Sequence, residues 1–491
     1  MRIGWLLLLS VALVPASFAQ RTRRSDVRRP NVVVIVVDDL GVDKVGAYGE
    51  APPGVSAPCT PNIDGLAREG VLFRNVWTNP FCSPSRAQIL TGRHGFRTGV
   101  GAVIPSQAEV GGLSVQNELL IPKAMQGYQT AAIGKWHLAN SSGDGLQQPL
   151  LAGFDAYSGS LYNLTRAAIP EGEASEIPDC TEGGRLDYYH WVKTWDPEGD
   201  GKLRQTCSTT YATTDTADDA IEQVQTLQAP WFLYVSFNSA HRPFQPPPQS
   251  LRRTVDCPSN YSLSSTGETP DVADAMVEVM DAELGRLLET IRSQAPDTYV
   301  ILVSDNGTDR LASQGEPGTC VDPLRSKGTL YEGGIRVPLI ISGPAVVPGE
   351  VDALVNSTDI YATVMDLGRV TASAEDSVSL VPYLRGDHTP QRDFIYAERF
   401  WPNMETPDSV FTLPFTPLVH LRTIRSERFK LFRFTDYTGS VFEELFDLES
   451  DPSELVGLNG GFGAVDPDLL APDARAEYLA LRAELVSMGV Y

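Results

Sequence analysis

The chain has 491 residues, with 39 Lys plus Arg against 62 Asp plus Glu for a net charge of −23, and a hydrophobic content of 42%. That is too apolar for a disordered chain and too long for one ordinary core, so one large domain with an appendage, or two domains, is expected. The acidic balance excludes a nucleic-acid binder, which needs a basic face to displace counterions; the densest basic run, Arg21–Arg29, reads as a solvated arm.

Arg2 precedes an apolar run from Trp5 to Val14, and Ser17-Phe18-Ala19 supplies residues at signal-peptidase spacing, so residues 1–19 read as a cleaved signal peptide and 20–30 as a basic flexible arm. The run is too short to span a bilayer comfortably, and no later stretch is long enough. Export without stable membrane insertion is expected: periplasmic or extracellular, or lysosomal or secreted in a eukaryotic host. Six cysteines (Cys59, Cys82, Cys180, Cys207, Cys257, Cys320) are few for a disulfide-built scaffold, so the core must come from burial. Export allows one or two bridges; if Cys82 is used chemically, at least one of the other five is unpaired within the chain.

Four apolar runs each end in residues of unusual chemistry. Val32–Val37 runs into Asp38-Asp39, Thr130–Ile133 into Gly134-Lys135-Trp136-His137, Trp231–Phe237 through Asn238-Ser239-Ala240 into His241, and Tyr299–Val303 into Ser304-Asp305-Asn306. Continuous β-branched and aromatic runs without alternation read as strands buried on both faces of a mostly parallel sheet. Helical patterns at Asn62–Gly70, Asp215–Gln228 and Asp271–Ser293 lie between them, which makes the class α/β. The polar endings would then converge on the carboxyl edge of the sheet. Residues 31–385 are expected to form this body. From 140 to 207 the chain is loop-rich, as for an insertion over the sheet edge. From about 386 to 491 the runs Phe394–Glu398, Leu421–Ile424, Phe429–Phe434 and Glu443–Leu448 are short and polar-interrupted, predicting a small antiparallel sheet, with a terminal helix over Asp473–Met488 packing back on the body.

Adjacent carboxylates at Asp38 and Asp39 repel unless something positive neutralises them, and a divalent cation does so best. Asp305-Asn306 at a second strand end adds two oxygen ligands, and no Cys or His cluster has zinc spacing, so calcium or magnesium is favoured over zinc. In Cys82-Ser83-Pro84-Ser85-Arg86, Pro84 fits the first turn of a helix and Gly92 its end, which puts Cys82 just before a positive helix terminus that would prime its thiol.

At these residues the sequence resembles the sulfatase family, over about residues 30–455. Cys82–Arg86 with Leu90-Thr91-Gly92-Arg93 is similar to the family signature, whose cysteine is oxidised to formylglycine. Asp38-Asp39 and Asp305-Asn306 match the metal pairs. Gly134-Lys135-Trp136-His137, His241-Arg242-Pro243-Phe244, Lys327-Gly328 through Pro338, and Leu445-Phe446-Asp447-Leu448 with Asp451-Pro452-Ser453-Glu454 match further motifs. One small difference is Phe81 where Leu is expected before the cysteine.

The resemblance implies an alkaline-phosphatase-like fold, maturation by a formylglycine-generating enzyme, and hydrolysis of a sulfated small molecule or glycan. Asp38, Asp39, Asp305, Asn306 and modified Cys82 would hold the metal, and Arg86 would stabilise the hydrated aldehyde. Lys135 and Lys327 would bind sulfate oxygens; His241 with Lys327 would protonate the leaving alcohol after a diol oxygen attacks sulfur, and His137 would deprotonate the second hydroxyl so that sulfate is expelled. A phosphomonoester or phosphonate hydrolase of the same fold, or a non-catalytic glycan-binding relative with unmodified Cys82, are the alternatives. Aromatic residues at Trp77, Tyr188–Trp191 and Phe400-Trp401 are compatible with stacking on sugar rings, and Asn163, Asn260 and Asn356 head glycosylation triplets.

Overall fold

A computed structural model describes residues 29–490, apart from 107, 109–110, 142–144, 165–179, 181–185, 253–267, 320–321, 405–416 and 462. The signal-peptide segment, most of the basic arm, Cys257, Cys320 and the Asn260 triplet lie outside the described residues. In chain order the strands are β1 (Asn31–Val37), β2 (Val71–Trp77), β3 (Gln129–Gly134), β4 (Ala156–Ser158), β5 (Trp191–Trp195), β6 (Arg204–Ser208), β7 (Trp231–Phe237), β8 (Thr298–Ser304), β9 (Leu339–Ser342), β10 (Gly349–Asn356), β11 (Ile395–Trp401), β12 (Val419–Arg425), β13 (Phe429–Thr435) and β14 (Val441–Asp447).

Eight of them form one mixed, mostly parallel sheet in the order β10-β2-β9-β8-β1-β7-β3-β4. Only β9 runs against its neighbours β8 and β2. The alternation of side chains along β1 feeds two cores at once. Val32, Val34 and Val36 pack on one face with Ala87, Leu90, Ile360 and Val364, while Val33, Ile35 and Val37 pack on the other with Leu66, Ala217, Leu284 and Leu287. A sheet covered by helices on both faces requires such unbroken apolar strands, which is why β1 and β7 are wholly buried.

The four helices expected from sequence form at Pro61–Glu69, Ala212–Thr226, Pro270–Gln294 and Pro472–Ser487. The last of these packs Tyr478, Leu481 and Leu485 on the antiparallel sheet β11-β12-β13-β14 rather than on the main body. Strands β2, β9 and β10 go beyond the sequence reading. Arg74-Asn75 breaks the apolar run of β2, Glu350 and Asp352 break that of β10 at the sheet edge, and β9 has only four residues. The loop-rich insertion contains the β5–β6 hairpin, and a disulfide ties Cys207 of β6 to Cys180 upstream of β5. Cys59 is also disulfide-bonded.

Most of the aromatic residues weighed as sugar platforms are core. Trp77, Tyr188, Trp191 and Phe400 are buried, whereas Trp401 is half exposed. Asn356 is buried too, donating through Nδ2 to the carbonyls of Trp77 (3.3 Å) and Tyr396 (2.8 Å), so no glycan can be attached there.

Candidate active site

β8, β1, β7 and β3 are consecutive, parallel neighbours with Val37 opposite both Phe237 and Ser304, and Gly134 opposite Ser236. Their carboxyl ends are therefore level, and with strands about 4.8 Å apart the residues that follow meet on one edge. At Gly134 a Cβ would lie 2.0 Å from the Ser236 carbonyl oxygen, so only glycine lets β3 end this close to β7. Asp39 and His137, the residues just beyond two of these ends, both have φ near 60°. Non-glycine residues pay about 1–3 kcal/mol for such a conformation, which is tolerated where the surroundings over-determine a functional geometry.

Strand β2 runs parallel to β8, since β9 opposes both, so its end opens onto the same edge. The chain then enters the Cys82–Thr91 helix, all ten residues of which are buried, closed by Gly92 at φ 67°. Cys82 is the first helical residue, not the one before it, with Phe81 as the cap. Its Sγ lies 3.6 Å from Asp38 Oδ1 and 3.7 Å from Lys327 Nζ.

The carboxylate oxygens of Asp38, Asp39 and Asp305 lie within 4.8 Å of one another, and a second cluster joins Asp38, Cys82 and His241. Lys135 Nζ donates to Asp38 Oδ2. Lys327 Nζ donates to Asp39 Oδ1 (2.5 Å), which also accepts from Asn306 Nδ2 (2.7 Å). Arg86 donates through Nε to Asp305 Oδ2 (2.9 Å) and through Nη1 to the Lys135 carbonyl (2.8 Å) and Ser236 Oγ (2.5 Å). Asp39 Oδ2, Asn306 Oδ1 and His137 Nδ1 are buried without a hydrogen-bond partner. The catalytic and metal-binding candidates named from the sequence thus sit together at one edge of the sheet.

Three carboxylates among three cations do not share charge evenly. Burial pushes Asp38 up, but Lys135, His241, Arg86 and Lys327 outweigh it and hold that carboxylate well below its usual range. Burial raises Asp39 to about 8, offset by Lys327 and reinforced by Asp38 and Asp305, and it raises Asp305 as well. The cluster keeps two buried oxygens, Asp39 Oδ2 and Asn306 Oδ1, that no group of the protein satisfies.

Burial, then Lys135 and Arg86, hold His137 well below the ordinary imidazole value; burial, then Lys327 and Lys135, do the same to His241. Cys82 corrects the expectation of a primed thiol. Burial drives its pKa to about 12 despite Lys135 and Lys327, because Asp38 and Asp305 face it too.

Beside Cys82 opens a cleft of about 780 Å³ lined also by His241, Lys327, Arg310 and Arg399. The sequence reading passed over Arg310 and Arg399, since isolated arginines outside a motif carry no signal. It also missed the anchoring role of Tyr188, whose Oη lies 2.5 Å from the Asn238 carbonyl and 2.8 Å from that of His241. Asn163, half-buried, lines the cleft too.

A family model described as Sulfatase matches residues 30–370, and one described as N-sulphoglucosamine sulphohydrolase, C-terminal, matches residues 324–461. N-acetylgalactosamine-6-sulfatase of Canis lupus familiaris is 30% identical over 420 residues, covering 80% of this chain and 72% of that protein. Arylsulfatase A of Homo sapiens is 28% identical over 494 residues, covering 93% and 88%. Among solved structures, BT4656 in complex with its substrate D-glucosamine-2-N,6-O-disulfate shares the fold with a TM-score of 0.66 at 21% identity, covering 93% of this chain and 98% of that one. With a family model over most of its length and a relative at 30% identity across four-fifths of it, the chain belongs to the sulfatase family and is a sulfuric ester hydrolase.

Proposed function

We propose that this chain is an exported sulfatase that cleaves a sulfate monoester of a sulfated carbohydrate, or an aryl sulfate, to the alcohol and inorganic sulfate. The observation that carries the reading is the meeting of three strand-end carboxylates with Cys82 Sγ, 3.6 Å from Asp38 Oδ1. The likeness to N-acetylgalactosamine-6-sulfatase supports a sugar as the alcohol. The Cys180–Cys207 disulfide supports an oxidising compartment. Among the described residues no helix is long and apolar enough to cross a membrane.

The donor set is all oxygen, apart from Cys82, and its free buried oxygens fit a hard divalent cation, calcium before magnesium, held by Asp38, Asp39, Asp305, Asn306 and modified Cys82. Bound there, it supplies Lewis acidity toward the ester. Conversion of Cys82 to formylglycine by a formylglycine-generating enzyme, with an external oxidant taking the electrons and the sulfur leaving the side chain, would supply a hydrated aldehyde in place of a thiol that burial keeps protonated.

The chain's own residues do the rest. Arg86 fixes the Asp305 carboxylate and adds positive charge beside the nucleophile. The ammoniums of Lys135 and Lys327 hold the sulfate oxygens, where negative charge builds in the transition state. His137, neutral at pH 7, is suited to accept a proton, and its Nδ1 is bonded to nothing. His241 gains its proton when an anion enters the cleft and, with Lys327, passes one to the departing alcohol oxygen.

Parallel assays with 4-nitrophenyl sulfate and 4-nitrophenyl phosphate test the reading. Sulfate turnover is expected to dominate and to fall on calcium removal, and the Cys82 peptide is expected to carry the aldehyde by mass spectrometry. A phosphate rate far above the sulfate rate favours the phosphohydrolase, and a wholly unmodified thiol favours a binder.

A further inference from the structure

The cleft beside Cys82 holds three arginines that the reaction does not use. Arg242 faces Glu268 Oε2 at 3.4 Å and Asp309 Oδ2 at 3.5 Å. Arg399 and Arg310 have no ion pair among the described residues, in a chain whose acidic side chains outnumber its basic ones by 62 to 39. Arg310 is exposed and solvated. Arg399 is half-buried on β11 and is held in one place: its Cζ lies 5.0 Å from the centroid of the Phe81 ring, and Nη1 donates to the Gly328 carbonyl at 2.6 Å. Burial, with no nearby carboxylate to offset it, lowers its pKa.

That one hydrogen bond uses one of five N–H donors of the guanidinium. Phe81 and Gly328 are the chain neighbours of Cys82 and Lys327, about 3.8 Å away between consecutive Cα atoms, so Arg399 stands within a disaccharide's reach of the ester. Phe81 is also the one place where the signature departs from the expected leucine, and only an aromatic ring gives a guanidinium a face to lie on. A fixed, partly desolvated, unpaired fork of donors in a cleft that admits anions is suited to a planar or tetrahedral oxyanion.

We infer that Arg399, seated on Phe81, receives a second anionic group of the substrate, a carboxylate or a further sulfate, so that the enzyme acts on glycans bearing two anions close together. This rests on the sulfatase reading and narrows its substrate class. Arg399 is a specificity residue; it does not touch the reacting atoms.

The test uses the full, matured protein and two ligand pairs, with binding read by tryptophan fluorescence in the cold. Glucosamine 2-N,6-O-disulfate is compared with glucosamine 6-O-sulfate, and a 6-sulfated disaccharide carrying a uronate with its carboxyl-reduced form. The wild type is expected to bind the doubly charged member of at least one pair about tenfold tighter, as a charge-assisted contact of this kind supplies; which pair responds tells sulfate from carboxylate. Arg399→Ala is expected to bring that ratio to within about twofold of unity, Arg399→Lys to keep part of it, and Phe81→Leu to weaken it. A wild type without preference in either pair, or a preference that survives in Arg399→Ala, overturns the proposal. Turnover of 4-nitrophenyl sulfate is measured alongside. Its absence from the wild type with the preference intact refutes the catalytic reading and leaves the anion subsite standing.

Discussion

At pH 7 a thiol whose pKa burial has raised to about 12 is ionised in roughly one molecule in 10⁵, so Cys82 as a cysteine is a poor nucleophile despite its helix terminus. In the proposed mechanism, a side chain with one oxygen can take up a sulfuryl group but has no second hydroxyl from which His137 would draw a proton to expel it. Cys82→Ser is therefore expected to release one alcohol per enzyme, gain the mass of one sulfuryl group and then turn over roughly a thousandfold or more slower. Wild-type turnover in that variant refutes the mechanism. In its proposed role His137 must be unprotonated to accept a proton, and burial with Lys135 and Arg86 holds it well below 6.5. Because a lowered pKa keeps the neutral form present into acid, the acid limb of kcat is expected to lie below pH 6.5 and to be absent from the residual rate of His137→Gln. A pH–rate profile whose limb sits at or above 6.5 contradicts this.

The four parallel elements β8, β1, β7 and β3 put the site where it is, and the loop after β7 is the element on which His241 rides. Tyr188, from the insertion, is wholly buried and bonds the carbonyls of Asn238 and His241. Tyr188→Phe leaves the His241 carbonyl short of its donor, at about 1–3 kcal/mol, while that of Asn238 keeps the His241 backbone N–H at 2.8 Å. The expected result is a melting temperature lowered by a few degrees and a kcat lowered about tenfold with KM for 4-nitrophenyl sulfate nearly constant; a kcat equal to wild type sinks the anchoring role. This contact also marks the limit of what the sequence tells. Val32–Val37 and Trp231–Phe237 are legible because both faces of each strand are buried, and the strand-end residues because their chemistry is costly without function. Tyr188 is 53 positions from His241, and Arg399 is 317 from Cys82; no local pattern links positions that only the folded chain brings together. The raised thiol pKa was illegible for the same reason, since the helix terminus is local but the carboxylates and the burial around Cys82 come from β1, β8 and the packing.

At the scale of the whole molecule, one buried cation ties the antiparallel sheet to the machinery on the main sheet. Lys430 of β13 is fully buried, with Nζ 3.0 Å from Glu332 Oε1, 2.7 Å from Glu454 Oε1 and 4.6 Å from the centroid of the Trp77 ring. Glu332 follows the Lys327 segment, and Trp77 ends β2 on the way to Cys82, so the network reaches two of the pieces that surround the nucleophile. Burial pushes Glu332 up, but Lys430, then Arg425 and Arg336, hold it down to about 2. A carboxylate lowered from 4.5 to about 2 on folding contributes stability that is complete above pH 4.5 and is lost as pH falls toward 2. Lys430→Met leaves Glu332 with its two arginines but strips Glu454 of its cation, a loss of about 3–5 kcal/mol for a buried pair broken on one side. Wild type and Lys430→Met are therefore expected to differ most in melting temperature near neutral pH and to converge as pH falls toward 2, first through Glu454, whose carboxyl burial raises above 4.5, and then through Glu332, because protonation removes from the wild type the pairing that the variant already lacks. A gap that stays constant across that range means that packing on Trp77, not charge, is what Lys430 contributes.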